Sequence, residues 1–174
     1  MKRFFLIISI MGMYWATSAQ ERIPVDLQKT QFNLNILDPS VSFELSINDH
    51  QSITAAVGLT GLPDEGGTSL NPFLRSSYRN YYLRKRVKKE LMPNSGNYIG
   101  VIAGYNFDSI TDNIEPGTTR LSNSFYAGPA WGIQRNYRSG IHLGLSIGGG
   151  FAIDNHSDLY FTGVGAFEFG FVIQ

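Results

Sequence analysis

The strongest constraint on this chain is a two-residue repeat of its apolar side chains. Near its end, the stretch GAFEFGFVIQ places Phe167, Phe169 and Phe171 at every second position, with Glu168 and Gly170 between them. Successive side chains of a β-strand point to opposite faces. The stretch is therefore predicted to be a strand with one aromatic face and one face that carries a carboxylate and a glycine.

The same alternation recurs along the chain, and almost no stretch has the repeat of about 3.6 residues that indicates a helix. The predicted strands are Gln31–Asp38, Val41–Ile47, Ser52–Thr60, Phe73–Tyr82, Tyr98–Phe107, Phe125–Gln134, Ile141–Phe151 and Tyr160–Ile173. The segment Leu83–Met92 is compatible with a short turn of helix or with a basic connection. The sequence therefore predicts an all-β fold with eight antiparallel strands.

Apart from Asp38 at the end of the first segment, the charged residues of these segments lie on the face opposite the large apolar side chains. They are Glu44, Arg75, Arg79 and Glu168, and the same face otherwise carries mainly Gly, Ala, Ser and Asn. Such a face would be a poor solvent-exposed surface and a good crowded interior. In a transmembrane barrel, apolar side chains face lipid and polar ones face the lumen. We therefore expect an eight-stranded antiparallel up-and-down transmembrane β-barrel over residues 31–174, with a secreted soluble β-barrel as the alternative.

The first residues predict export of the chain. Two basic residues precede an apolar run from Phe4 to Trp15, and small residues follow as far as Ala19. This is the order of a secretory signal peptide, and the run is short for a spanning helix of about 20 residues. We expect residues 1–19 to be the signal peptide and residues 20–30 to be a polar leader before the barrel.

The lengths of the connections predict an orientation. If the leader lies in the periplasm, the long links Gly61–Pro72 and Asp108–Asn123 are external, and the short links Asn48–Gln51 and Asn136–Gly140 are periplasmic. Short periplasmic turns and long external loops are typical of outer-membrane barrels. The first link, which is short, and the fourth link, which is long, are exceptions to this pattern.

The fourth connection carries a basic cluster, which this orientation assigns to the periplasm. Its residues are Arg84, Lys85, Arg86, Lys88 and Lys89. The cluster can contact phospholipid headgroups or an acidic periplasmic partner, or it can be only a solvated turn. The sequence leaves these interpretations open.

Composition excludes several classes of function. The 14 basic and 14 acidic residues balance, so the chain has no strong overall field for nucleic acid, and we expect no nucleic-acid partner. The chain contains no cysteine, which excludes disulfides, thiolate metal sites and cysteine nucleophiles. No metal site and no cofactor are predicted.

A polar network is predicted inside the barrel. Its members are Glu44, Arg75, Arg79, Gln134, His142 and Glu168. They can form ion pairs that fill a narrow lumen, or they can gate a narrow water path. His142 shares its face with Ser146, but four residues along one strand span roughly 13 Å, which is too far for a catalytic pair. We therefore predict no catalytic residue.

The chain resembles the small outer-membrane β-barrel proteins of Bacteroidota-type bacteria, which are built like the OmpA transmembrane domain. The residues that carry the resemblance are PSVSFELSINDHQSITAAVGLT, NPFLRSSYRNYYLRKR, NSGNYIG and WGIQRNYRSGIHLGLSIGGGF, and it covers about Gln31 to Gln174. Such barrels usually end on an aromatic residue that the barrel-assembly machinery reads, whereas the last aromatic here is Phe171.

The resemblance implies a protein of the Gram-negative outer membrane, with membrane lipids and the barrel-assembly machinery as partners. It implies no catalytic residue and favours a structural or binding role through the outer loops or the basic periplasmic turn. A narrow channel for small solutes and a lipid-modifying enzyme are the alternative functions.

Overall fold

The architecture is one antiparallel sheet that closes on itself. A computed structural model describes residues 27–64, 67–83, 91–110 and 123–173. The strands are β1 Thr30–Asn35, β2 Ser40–Asn48, β3 Gln51–Asp64, β4 Gly67–Leu83, β5 Gly96–Asn106, β6 Ser124–Asn136, β7 Ile141–Asp154 and β8 Leu159–Ile173. Each strand pairs with the next in the chain, and β1 also pairs with β8, which closes the barrel. The predicted all-β fold of eight antiparallel strands is confirmed.

Within the described residues, no helix is long and apolar enough to cross a membrane. The predicted signal peptide, the leader as far as residue 26 and the basic cluster at residues 84–89 lie outside the described residues.

Two predicted connections differ from the observed ones. β1 ends at Asn35, because residues 36–39 form the turn to β2. The link predicted over Gly61–Pro72 is largely strand, since β3 and β4 stay paired as far as Asp64 and Gly67. Backbone hydrogen bonds between paired strands do not require alternating side chains, so a hairpin can continue beyond the apolar pattern from which its strands were predicted.

The two ends of the barrel have different connections, and we name them by these. The turn end contains the β2–β3 turn at residues 49–50 and the β6–β7 turn at residues 137–140, where Gly140 has a left-handed φ of 85°. The loop end contains the β1–β2 turn and the β7–β8 turn. In the latter, the carboxylate of Asp154 accepts hydrogen bonds from the backbone N–H groups of His156, at 2.9 Å, and Asp158, at 3.0 Å.

The barrel is polar inside and apolar outside. Of the buried residues in the described ranges, 18 are polar or charged and 7 are hydrophobic, whereas 29 large hydrophobic residues are exposed. On β2, for example, Ser42 and Glu44 are buried while Val41 and Leu45 are exposed. The two faces predicted from the alternation are therefore present, with the polar face turned inward.

Glycines on the inner face make room for large side chains of neighbouring strands. Tyr98 on β5 pairs with Gly132 on β6, and Gly104 on β5 pairs with Tyr126 on β6. A methyl group at Gly132 would overlap the Tyr98 ring, and one at Gly104 would overlap the Tyr126 ring. Tyrosines that lie across glycines of the adjacent strand thus fill part of the lumen, which in a barrel of eight strands is only wide enough for side chains or one small ligand.

Candidate functional site

The polar lumen is built around the carboxylate of Glu44, which β2 directs into the barrel. Glu44 is only 1% exposed. Its Oε1 accepts hydrogen bonds from the Ser52 hydroxyl, at 2.6 Å, and from the Tyr81 hydroxyl, at 2.8 Å. Its Oε2 accepts from Nε2 of Gln134, at 2.8 Å. Three donors from three different strands therefore satisfy this buried charge, as burial of a carboxylate demands.

Arg79 connects the carboxylates of Glu44 and Glu168 in the lumen. It lies on β4, donates from Nη1 to Oε1 of the same Gln134 and places Nη2 3.8 Å from Oε2 of Glu168. Its guanidinium carbon also lies 4.8 Å from the centre of the Tyr98 ring, a distance typical of a cation–π contact. The positive charge of Arg79 is therefore held between Glu168, which it faces directly, and Glu44, which it reaches through Gln134.

His142 extends this set of contacts toward β1. The ring is fully buried, with Nδ1 2.6 Å from Oδ1 of Asn136 and Nε2 3.4 Å from Oε2 of Glu168. The Asn136 amide in turn donates to Oε1 of Gln31, at 2.9 Å. Both ring nitrogens of His142 are thus occupied by polar groups of the lumen.

A short backbone segment covers the lumen at the turn end. Asn94, in the connection between β4 and β5, is fully buried and has a left-handed φ of 59°. Its carbonyl accepts hydrogen bonds from the side-chain amides of Gln134, at 2.8 Å, and Asn136, at 3.2 Å. Its side-chain Oδ1 accepts from the backbone N–H of Gln28, at 2.6 Å. This segment therefore connects the turn end of the lumen to the residues just before β1.

Arg75 lies apart from these contacts. Arg75 was predicted to share one polar network with five other inward-facing residues. Hydrogen bonds and ion pairs link those five to one another, and none of these contacts includes Arg75; the five are Glu44, Arg79, Gln134, His142 and Glu168. The Nε of Arg75 is 3.4 Å from the Tyr126 hydroxyl, and its guanidinium lies 4.5 Å from the centre of the Phe73 ring. The reason is its position on β4, because Arg75 lies four residues nearer the loop end than Arg79. At that position no described carboxylate comes within 4 Å of the guanidinium.

A cavity of about 370 Å³ surrounds Arg75 at the loop end. Its lining includes Asp38, Thr60, Arg75, Ser124, Tyr126 and Tyr160. Asp38 belongs to the β1–β2 turn, and Ser124 and Tyr160 lie near the first residues of β6 and β8. Among the described residues, the lumen is thus divided into a packed half near the turn end and a half near the loop end that contains this cavity.

Several residues of the site were not predicted, although a signal for some of them is present. Gln31, Tyr81 and Tyr98 occupy inward positions of the alternating pattern, so their orientation could have been read from it. Asn94 lies outside any strand, and no pattern in the sequence marks it as buried. In the described part of the chain, no group of three or more His, Cys, Asp or Glu side chains could hold a metal ion.

Comparison with protein-family profiles, with curated proteins and with solved structures found no match to this chain.

Proposed function

We propose that this chain is an outer-membrane barrel protein without enzymatic activity, whose strands face lipid and which acts by binding at its loop end. The observation that carries the proposal is the reversed distribution of side chains, with polar residues buried and apolar ones exposed. In water, large apolar side chains left exposed forgo about 1.5–3 kcal/mol each relative to full burial. With 29 of them partly exposed, the total is on the order of tens of kcal/mol.

Contact with lipid removes the cost of exposing these apolar side chains to water. The closed sheet is suited to lipid for a second reason. Hydrocarbon offers no hydrogen-bond partners, so spanning segments must satisfy their own backbone groups. The pairing of β1 with β8 leaves no free edge strand in the sheet. On the outward face of β6, Arg135 lies one residue from the strand end at Asn136 and donates to Oδ1 of Asn97, at 2.7 Å. A charge at that position would lie near the membrane boundary, where its cost is smallest.

The packed half of the lumen argues against a channel. Gln134 bonds to both Glu44 and Arg79 across the barrel, and the Asn94 carbonyl accepts a hydrogen bond from Gln134 at the turn end. A solute would have to break these buried contacts to pass. The lumen contacts therefore favour a structural network over a water path.

The geometry around His142 argues against a lipid-modifying hydrolase. Its two ring nitrogens face Asn136 and Glu168, and the Ser146 hydroxyl lies 3.5 Å from the Ala166 carbonyl. A hydrolytic mechanism would need a ring nitrogen within about 3 Å of the serine oxygen.

Fractionation of the native cells and gel electrophoresis test the membrane proposal. We expect the protein in urea-washed outer membranes, extracted only by detergent, and we expect unboiled protein to migrate differently from boiled protein. A monomer that stays folded and soluble in detergent-free buffer would contradict the proposal.

Conductance in planar bilayers separates the structural interpretation from the channel. We expect no single-channel steps above the background of protein-free bilayers. Reproducible steps that disappear with boiled protein would favour the channel instead.

Lipid analysis of cells with and without the gene tests the alternative of a lipid-modifying enzyme. We expect the same lipid profile in both, and a changed profile would favour the enzyme.

A further inference from the structure

The loop-end cavity presents an arginine that makes no ion pair with a described carboxylate. Arg79 faces Glu168 at 3.8 Å, whereas no described carboxylate lies within 4 Å of the Arg75 guanidinium. Of the Arg75 donors, Nε points to the Tyr126 hydroxyl at 3.4 Å, and no described protein atom accepts a hydrogen bond from its two Nη groups. A half-buried guanidinium with free terminal donors is suited to bidentate binding of an oxyanion.

The surroundings hold Arg75 in position for such a ligand. The guanidinium stacks on the buried Phe73 ring at 4.5 Å, and the Tyr126 ring beside it fits because Gly104 leaves space on β5. The Tyr126 oxygen accepts from Arg75, so its own proton remains available to a ligand. The site is thus built on paired strands, which hold their side chains more rigidly than loops do.

We propose that this cavity binds a small solute that carries an oxyanion, a carboxylate or a phosphate group, and that Arg75 holds that group. The volume of about 370 Å³ is near the lower limit for small-molecule sites and suits a solute rather than a polymer. The hydroxyl groups of Ser124 and Thr162 line the same cavity and can bind further polar atoms of the solute.

The charged side chains that line the cavity restrict the range of possible ligands further. Asp38 also lines it, with Oδ1 3.3 Å from the Thr60 hydroxyl. One positive and one negative side chain cannot together favour a polyanion, because Asp38 would repel the additional negative charge. The ligand is therefore a small anion with one or two negative charges, or a zwitterion whose positive group meets Asp38. This inference rests on the part of the proposed function that assigns binding to the loop end, but it does not depend on the membrane proposal, because the chemistry of the cavity is independent of what covers the outer face.

Titration followed by nuclear magnetic resonance tests the site. The full ¹⁵N-labelled chain, folded in non-ionic detergent micelles, is titrated with inorganic phosphate and separately with acetate, with sodium chloride at equal ionic strength as the reference. We expect saturating shifts at the backbone amides of Thr60, Ser124 and Thr162. Saturation by phosphate alone identifies a phosphate ligand, saturation by acetate alone identifies a carboxylate, and saturation by both supports the shared chemistry. If neither phosphate nor acetate produces saturating shifts, the proposal is overturned.

Variants assign the binding to Arg75. We expect R75Q to weaken it by about tenfold or more, since the charge-assisted hydrogen bonds are lost, and R75K to weaken it less because the charge remains. Arg138→Gln is the matched control, because Arg138 is an exposed arginine in the turn at the opposite end of the barrel, and it should leave binding unchanged. Folding of each variant is checked by its gel mobility before and after boiling. If R75Q does not fold, R75K carries the comparison; unchanged affinity in whichever variant folds would overturn the assignment.

Discussion

Replacement of Arg79 by methionine should destabilise the barrel far more than the same replacement of Arg75. Both arginines lie on the inner face of β4, four residues apart. Arg79 is 6% exposed and lies 3.8 Å from Oε2 of Glu168, whereas Arg75 is half-buried and has no described carboxylate within 4 Å. Methionine preserves most of the side-chain volume, so the comparison isolates the charge together with its hydrogen bonds to Gln134 and Ser77.

The magnitude follows from the contacts of Arg79. Two unit charges 3.8 Å apart attract by about 4 kcal/mol at an effective dielectric constant of about 20. Removal of one partner of a buried pair usually costs about 3–5 kcal/mol, because the other charge remains buried. Glu168 keeps His142 at 3.4 Å, which limits the loss. We therefore expect R79M to lower the free energy of unfolding by about 3 kcal/mol and R75M to lower it by less than about 1 kcal/mol.

Urea titration of the folded protein in detergent micelles measures this difference, with tryptophan fluorescence and gel mobility as two probes. A loss of about 3 kcal/mol corresponds to a decrease in the unfolding midpoint of roughly 1–2 M urea. The double variant R79M/E168Q should recover part of the loss, because it removes the carboxylate left without its partner. Equal losses in R79M and R75M, or a double variant no more stable than R79M, would refute the reasoning.

Three further changes test other parts of the structure. Gly132→Ala should lower the free energy of unfolding by about 1–3 kcal/mol, because its methyl group would overlap the Tyr98 ring. Gly163→Ala, where nothing lies within 4 Å, should change it by less than about 1 kcal/mol, and equal effects in urea titrations would contradict the packing argument. Ile147→Lys, at a position 64% exposed on the outer face, should reduce folding into lipid vesicles by about 2–4 kcal/mol, and an unchanged folded fraction would count against lipid contact. Asn94→Ala should cost about 1–2 kcal/mol more than Asn94→Gly in the same titration, since φ is 59° and glycine tolerates this conformation; the opposite order would show that this backbone conformation is not retained.

The sequence by itself determined the strands and the direction of their side chains. The two-residue repeat assigns Glu44 of β2 and Glu168 of β8 to the polar face of their strands, and it assigns the phenylalanines beside Glu168 to the opposite face. This assignment needs no knowledge of the neighbouring strands, because the side chains of each strand alternate by themselves. The hairpin beyond Thr60 was missed for a related reason: the side chains there do not alternate, and only the backbone pairing extends the strands.

Only the tertiary structure decided which inward side chains meet. Gln134 bonds to Glu44 across 90 residues of chain and to Arg79 across 55. Such contacts depend on the register of every strand pair and on closure between β1 and β8. The alternation of side chains within one strand predicts neither the register nor the closure. Arg75 and Arg79 are equivalent in the pattern, yet the closed barrel brings both carboxylates to the height of Arg79 and leaves Arg75 in the cavity. Position along the barrel axis separates the two arginines, because that position is set by how the strands are staggered and not by which face a residue occupies.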